Sequence, residues 1–349
     1  MTISNDAFNN YVRDNISPKE TERNTISQRY KDLSNMLKGN NFQSGSFARF
    51  TAITPVNDLD VIWELPEDIL INTLLKEKIL KKTIDPEHLD ISNVLSELAG
   101  RLREEYKQRN IQVMKIDAQT HSVSIYFGPT EDDFSIDIVP AVPDGVNNFG
   151  EQTYLVPEII KFHKNVRLKM YSEKRPMSWI KSDPRGYIKE ATVLNNANKN
   201  YRHSVKFCKK WKWHLTDRYP NLKFKSFHIE MIIKDLLKQN TDSDSIKIVQ
   251  LFFASLSNYI DHPQIPDRAN NGKYIDDYLN ELTQNNKNLV INEGTKSLLI
   301  INNINNDSDV NKELYNLLNN NISQADHTYS NKNVSSISRP YAEFYDNNA

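Results

Sequence analysis

The apolar residues follow a helical spacing in two stretches of the N-terminal third of the chain. Between residues 6 and 38 they recur at roughly the helical period, and Gly39 is a typical helix stop. The same period returns over residues 92–108, where four side chains share one face: Leu95, Leu98, Leu102 and Tyr106. The pattern therefore predicts one helix over 6–38 and another over 92–108.

Between and after these helices the pattern changes to short alternating stretches that contain strand-forming residues. The first runs from Asp58 to Trp63, and Pro66 follows it. Three further stretches cover residues 111–116, 123–127 and 134–139, with a turn marked by Gly128-Pro129. These segments predict a small sheet.

Beyond about residue 165 strand signals largely stop. Residues 201–215, 226–239, 245–260 and 274–286 suit helices, residues 302–321 are Asn-rich, and the segment from Asp326 onward is polar. We therefore expect an α+β protein with an N-terminal helix (1–40), an α+β core (41–165), a helical lobe (166–325) and a polar, flexible tail (326–349).

Composition excludes several classes of protein. The 349 residues carry 44 Lys and Arg against 45 Asp and Glu, so the formal net charge of -1 argues against stable DNA binding by charge alone. The single cysteine excludes an intrachain disulfide and a Cys-based metal cluster. The N-terminus lacks a signal-peptide pattern, and no apolar run approaches the ~20 residues needed to cross a bilayer. We expect a cytoplasmic protein without membrane contact.

Three carboxylates stand out within the predicted strands. Asp58 and Asp60 are two residues apart, so both side chains point to the same face of one strand. Asp137 interrupts the otherwise apolar stretch over residues 134–139. Carboxylates held together repel one another unless a cation lies between them, and Mg²⁺ prefers oxygen ligands. If the two strands pair side by side, the three acids can bind two metal ions about 4 Å apart.

Gly45-Ser46 precedes the paired acids by an eleven-residue gap. A glycine allows backbone N–H groups to approach phosphate oxygens, and the serine hydroxyl adds a donor. Either feature alone is common, since Asp-x-Asp occurs on solvated strands and Gly-Ser in simple turns. The combination with a third acid on another strand is far more specific and predicts nucleotidyl transfer, with one metal ion on the triphosphate and one on the attacking hydroxyl.

This combination resembles the polymerase-β-like nucleotidyltransferases, and more narrowly the cGAS/DncV-like nucleotidyltransferases (CD-NTases) and the oligoadenylate synthases. The segment 204–211 resembles the family helix whose lysine contacts donor triphosphate, which implies that role for Lys209. Residues 225–230 resemble the family's Ser-aromatic pair, so that Ser226 would bind phosphate and Phe227 would stack on a base. The resemblance also includes the Asp-Pro-rich turn over 260–271. It implies an active site in the cleft between the two lobes, which the N-terminal helix would bridge.

The charge distribution agrees with a triphosphate site in the helical half. Between residues 199 and 225 the only acid is Asp217. The same segment contains nine basic residues: Lys199, Arg202, Lys206, Lys209, Lys210, Lys212, Arg218, Lys223 and Lys225. Most of them are equally compatible with a solvated helix face. Two departures from the family are a Phe instead of the frequent Tyr at 227, and the absence of the Cys/His insertion found in animal cGAS.

The resemblance implies a template-independent enzyme of anti-phage (CBASS) signalling that uses two Mg²⁺ ions, or Mn²⁺ as a substitute. It would make a cyclic di- or trinucleotide from NTPs, with ATP among them, for a downstream effector. An accessory protein would act on the C-terminal tail. Two alternatives stay open at this point. One is a tRNA CCA-adding enzyme, since residues 45–49 also resemble its archaeal form, and the other is a non-catalytic nucleotide sensor on the same fold. A minimal antitoxin-type nucleotidyltransferase is usually much shorter.

Overall fold

The computed structural model describes residues 4–67, 91–119, 121–129, 133–159, 177–304 and 309–319. Its α-helices are α1 (Asn5–Asn15), α2 (Glu20–Ser34), α3 (Gly45–Ala48), α4 (Ile91–Gln108), α5 (Pro184–Ala197), α6 (Tyr201–Arg218), α7 (Ser226–Leu237), α8 (Ser245–Asp261), α9 (Gln284–Asn303) and α10 (Val310–Asn319). Its strands are β1 (Asn41–Gln43), β2 (Asp58–Glu64), β3 (Lys115–Ala118), β4 (Val123–Tyr126), β5 (Ser135–Val146), β6 (Gln152–Ile159) and β7 (Met177–Ser182).

The sheet is mixed and is organised around the long strand β5. The first half of β5 lies between β2, which is parallel to it, and β4, which is antiparallel. β1 and β3 continue the sheet beyond β2 and β4, both in antiparallel pairs. The second half of β5 pairs with β6, and β6 pairs with β7. β2 is therefore an inner strand, and its five central residues are buried.

Buried apolar residues of the described chain form two large hydrophobic cores and a smaller cluster at the sheet. The two N-terminal helices pack into different large cores. Phe8 and Val12 of α1 lie in the core of the helical half, with residues of α6 to α10. Ile26 and Leu33 of α2 lie in the core beneath the sheet, with α4. The predicted helix over 6–38 is thus two helices. The break follows from Pro18, because the residue before a proline disfavours helical backbone.

The α+β class with a mixed sheet followed by a helical lobe is confirmed, and the differences are local. β7 lies beyond the predicted core boundary at residue 165. The stretch predicted as a helix over 274–286 contains a 3₁₀ turn over Asp277–Glu281, and α9 begins separately because Thr283 caps it. The Asn-rich stretch contains α10, anchored by buried leucines such as Leu314. The predicted tail over 326–349 lies outside the described residues.

Among the residues that the structure describes, no helix combines the length and apolarity required to cross a membrane.

Candidate active site

The backbone pairing of β2 and β5 places the predicted carboxylates on one face of the sheet. Asp60 is the register partner of Asp137 in the parallel pair, and Asp58 is the partner of Ser135. Partners in a parallel pair point to the same face, as do residues two apart on one strand. Asp60 and Asp137 are both buried, and Asp58 is half-buried. The structure therefore places the three predicted acids on one face of two adjacent strands.

Asp137 is the deepest of the three acids. Ser124, its register partner on β4, donates a hydrogen bond to Oδ1 at 2.5 Å. Burial raises the pKa of Asp137 to about 6, against the lowering effect of that hydrogen bond. Within the described ranges, no three His, Cys, Asp or Glu side chains are already gathered as a metal-binding group. Three adjacent carboxylates repel one another, so a cation is needed to draw their oxygens together.

The Gly45-Ser46 turn packs directly on Asp60. The Ser44 N–H donates to the Asp60 carbonyl at 2.7 Å, and Gly45 has a φ of +65°. A Cβ atom on Gly45 would lie 1.8 Å from Oδ2 of Asp60, so no other residue fits here without displacing the carboxylate. The hydroxyl of Ser44 is buried and has no hydrogen-bond partner among the described residues. The backbone of the turn therefore packs directly on both the main chain and the side chain of Asp60.

Directly after this turn, Arg49 connects the sheet half to the helical half. Its Nε and Nη2 atoms donate to the two carboxylate oxygens of Glu230 on α7, at 2.9 and 3.0 Å. Lys209 on α6 binds the same carboxylate, with Nζ 2.6 Å from Oε1. The three side chains are 4%, 0% and 4% exposed in the order Arg49, Glu230 and Lys209. The two cations hold the pKa of Glu230 at about 2, although burial alone would raise it.

The predicted nucleotide-binding residues of the helical half differ in their placement. Ser226 begins α7, and its Oγ lies 3.2 Å from Nζ of Lys212 on α6. The Phe227 ring is buried, with the Tyr187 ring edge-on at 4.9 Å and the Arg49 guanidinium 4.9 Å from its centroid. Lys209 points its amine at Glu230. Ser226 therefore lies at the start of α7 with a lysine beside it. Ser226, Lys209 and Phe227 are all buried, and their predicted ligand contacts stay predictions.

Four residues of this region were not predicted individually from the sequence: Ser124, Arg49, Glu230 and Lys212. One signal was available for Glu230, since it is an acid within the apolar stretch 227–233, much as Asp137 is an acid within an apolar strand. Arg49, one of the two cations that bind Glu230, lies 181 residues away in the sequence, and no local pattern indicates this pairing.

The fold and the carboxylate site define a nucleotidyltransferase. Residues 1–195 match the sequence model of the family SMODS, "Second Messenger Oligonucleotide or Dinucleotide Synthetase domain", and the chain belongs to this family. The matched range includes Asp58, Asp60 and Asp137, and it ends before α6. The predicted class of enzyme, a synthase of oligonucleotide second messengers, is thereby confirmed, and the tRNA CCA-adding alternative is set aside.

Individual relatives agree with this assignment. The chain is 24% identical over 258 residues to "Cyclic AMP-AMP-AMP synthase" of Escherichia coli (strain MS 115-1), a match that covers 70% of this chain and 68% of that protein. It superposes on the E. coli MS115-1 CdnC:HORMA-deltaN complex with a TM-score of 0.64 at 19% identity, covering 90% of this chain and 96% of that chain. The Escherichia coli DncV structure with 3'-deoxy GTP gives a TM-score of 0.60 at 12% identity, covering 89% and 95%. These similarities confirm the predicted fold.

Proposed function

We propose that the protein joins NTPs without a template and closes the product into a cyclic di- or trinucleotide. The observation that carries the proposal is the placement of Asp60 and Asp137 as partners on adjacent strands, with the Gly45 turn packed on Asp60. In each step a ribose hydroxyl oxygen bonds to the α-phosphorus of an NTP, the bond to the pyrophosphate group breaks, and pyrophosphate leaves. Asp137 helps to deprotonate the attacking hydroxyl and accepts its proton.

The residues present fit two divalent cations. Three carboxylates on one face of the sheet supply the oxygen ligands that Mg²⁺ and Mn²⁺ prefer, and burial makes their uncompensated charge costly. Asp58 and Asp60 would hold both ions, and Asp137 would complete the second site. When bound, the ions neutralise the triphosphate and lower the pKa of the attacking hydroxyl.

The nucleotide would lie between the Gly45-Ser46 turn and the start of α7. Backbone N–H groups of the turn and the Ser46 hydroxyl would bind the terminal phosphates, and Ser226 would add a hydroxyl from the opposite side with the Lys212 amine beside it. For Lys209 to touch phosphate as predicted, its amine would have to leave Glu230. For Phe227 to stack on a base, its ring would have to leave Tyr187.

The relatives suggest which nucleotides the enzyme uses and in which cellular system it acts. ATP is proposed among the substrates, since one relative is a cyclic AMP-AMP-AMP synthase and E. coli MS115-1 CdnC is known in a structure with ATP. We place the enzyme in the cytoplasm as part of a CBASS anti-phage system, with a downstream effector that binds the cyclic product. An accessory protein would act on the tail over 326–349. The CdnC complex with HORMA-deltaN is a precedent for a protein partner.

The proposal is tested by incubating the protein with four labelled NTPs and Mg²⁺, followed by phosphatase treatment and mass spectrometry. We expect a phosphatase-resistant cyclic product that is absent from the Asp58→Asn/Asp60→Asn variant. Linear oligomers would contradict ring closure while preserving nucleotidyl transfer. A product formed equally by the double variant would contradict the assigned site.

A further inference from the structure

A buried cluster of three charged side chains, Arg49, Glu230 and Lys209, lies at the junction of the two halves. Arg49 presents two nitrogens to two oxygens of one carboxylate, which fixes both the distance and the angle between the groups. Lys209 then binds the oxygen that accepts from Arg49 Nη2. The three residues come from α6, α7 and the residue after α3, so a single carboxylate connects three separate parts of the chain.

Both ends of this cluster are adjacent to predicted nucleotide contacts. Arg49 follows α3 directly, and its N–H donates to the Gly45 carbonyl at 3.2 Å. Glu230 lies four residues, about one helical turn, after Ser226 on α7. Arg202 of α6 also donates to the Arg49 carbonyl at 3.1 Å, so backbone as well as side chain of Arg49 is held by the helical half. A shift of the carboxylate would therefore move the turn relative to Ser226.

Stability alone does not account for such a cluster. Burying ion pairs costs desolvation energy that their attraction seldom exceeds, and well-packed apolar residues serve equally well in many proteins. What a bidentate, fully buried ion pair supplies is a defined geometry. Here the ion pair connects the two sides of the proposed nucleotide site, which are the Gly45-Ser46 turn and the start of α7 at Ser226.

We infer that Glu230 is a positioning residue for nucleotidyl transfer. Its carboxylate holds Arg49 and Lys209 together and thereby fixes the Gly45-Ser46 turn relative to Ser226. This inference rests on the proposed function, because the turn and Ser226 are its two phosphate-binding elements.

The chain offers a matched control for Glu230. Glu293 on α9 is also buried and also binds one arginine and one lysine, with Arg218 Nη1 at 3.2 Å and Lys296 Nζ at 2.6 Å. Glu230→Gln and Glu293→Gln therefore make the same chemical change at a buried carboxylate, but only the first lies beside the turn. The lysine partner of Glu293 is itself exposed, whereas both cations at Glu230 are buried. Both variants are to be assayed at a temperature at which circular dichroism shows them folded.

Two readouts are compared with wild type: hydrogen exchange of the backbone amides over residues 44–50, and kcat and KM for NTP. For Glu230→Gln we expect faster exchange in this segment and a loss in kcat/KM on the order of 100-fold, the scale of an ångström-sized misplacement. Glu293→Gln should change neither. Equal behaviour of the two variants in both readouts would overturn the inference.

The inference and the proposed function can fail separately. If wild type makes no product from NTPs, the proposed function fails, and the exchange comparison still decides whether Glu230 positions the turn. If Glu230→Gln does not fold, Arg49→Lys is measured in its place, because lysine keeps the positive charge but cannot make the bidentate contact with Glu230. Faster exchange over 44–50 in Arg49→Lys supports the inference, and unchanged exchange refutes it.

Discussion

A Cβ atom on Gly45 would lie 1.8 Å from the Oδ2 atom of Asp60. The Asp60 carboxylate thus fills the space that a side chain at residue 45 would need. The turn can pack this closely on Asp60 only because residue 45 is a glycine. The positive φ of Gly45 imposes a second requirement for glycine at the same position. The turn proposed to bind phosphate and the Asp60 carboxylate are in this way one structural unit.

Gly45→Ala should therefore inactivate the enzyme as well as destabilise it. The left-handed backbone costs alanine about 1–2 kcal/mol, and displacement of Asp60 adds to that cost and removes a catalytic group. Gly145→Ala is the matched control, since Gly145 has a φ of +72° and a Cβ there would meet nothing within 4 Å. Urea unfolding and product formation measure both effects. An active Gly45→Ala variant would show that the turn does not depend on Asp60.

The two lysines near Ser226 should respond differently to removal. Lys212→Ala takes away the amine next to the Ser226 hydroxyl, so we expect a higher KM for NTP and a change in unfolding free energy within about 0.5 kcal/mol. Lys209→Ala removes a buried partner of Glu230, so we expect a loss of stability of about 1–3 kcal/mol. A Lys209→Ala variant with normal stability and a raised KM would instead favour direct contact of Lys209 with phosphate.

Lys206 should make stability depend on alkaline pH. Burial, with Arg23, Arg202 and Lys209 nearby, lowers its pKa from 10.5 to about 8, and its Nζ donates to Ser17 Oγ at 3.1 Å. The folded state thus favours the neutral amine. The contribution of Lys206 to the free energy of unfolding is therefore fully present above pH 10.5, where the amine is neutral in both states. It is lost as the pH falls through 8, because the buried amine must then be charged.

Lys206→Met should accordingly be more stable than wild type at pH 7, by about 3 kcal/mol, because it removes a buried charge. The advantage should shrink as the pH rises from 8 towards 10.5. Urea unfolding at pH 7 and pH 10 measures it, with Lys247→Met on the exposed surface of α8 as control. A variant that is less stable than wild type at both pH values would contradict the assignment of a costly buried charge.

Local patterns predicted much of the fold and singled out three acids that the structure places on one face of the sheet. Within the short alternating strands, Asp58, Asp60 and Asp137 were recognisable as acids among apolar neighbours. The helical period located most of α6, α7 and α8. These features depend on neighbours within about four residues, which the sequence displays directly. The strands β1, β6 and β7 were not recognised from the sequence.

Long-range pairing could not be predicted in the same way. The register that sets Asp60 beside Asp137 and the ion pair between Arg49 and Glu230 both join distant residues, so they depend on the whole fold. For the same reason the sequence did not show that Lys209 and Phe227 are buried. A basic helix face looks the same whether its lysines meet a ligand or an internal acid.

The assignment of the carboxylates is tested most directly by the product of Asp137→Asn. Asp144 lies on the same strand, pairs with Lys181 at 3.0 Å and stands outside the site, so Asp144→Asn is the matched control. Wild type and Asp144→Asn, given NTPs and Mg²⁺, should form the same phosphatase-resistant cyclic nucleotide by mass spectrometry, and folded Asp137→Asn should form none. Product from Asp137→Asn at the wild-type rate would contradict the account.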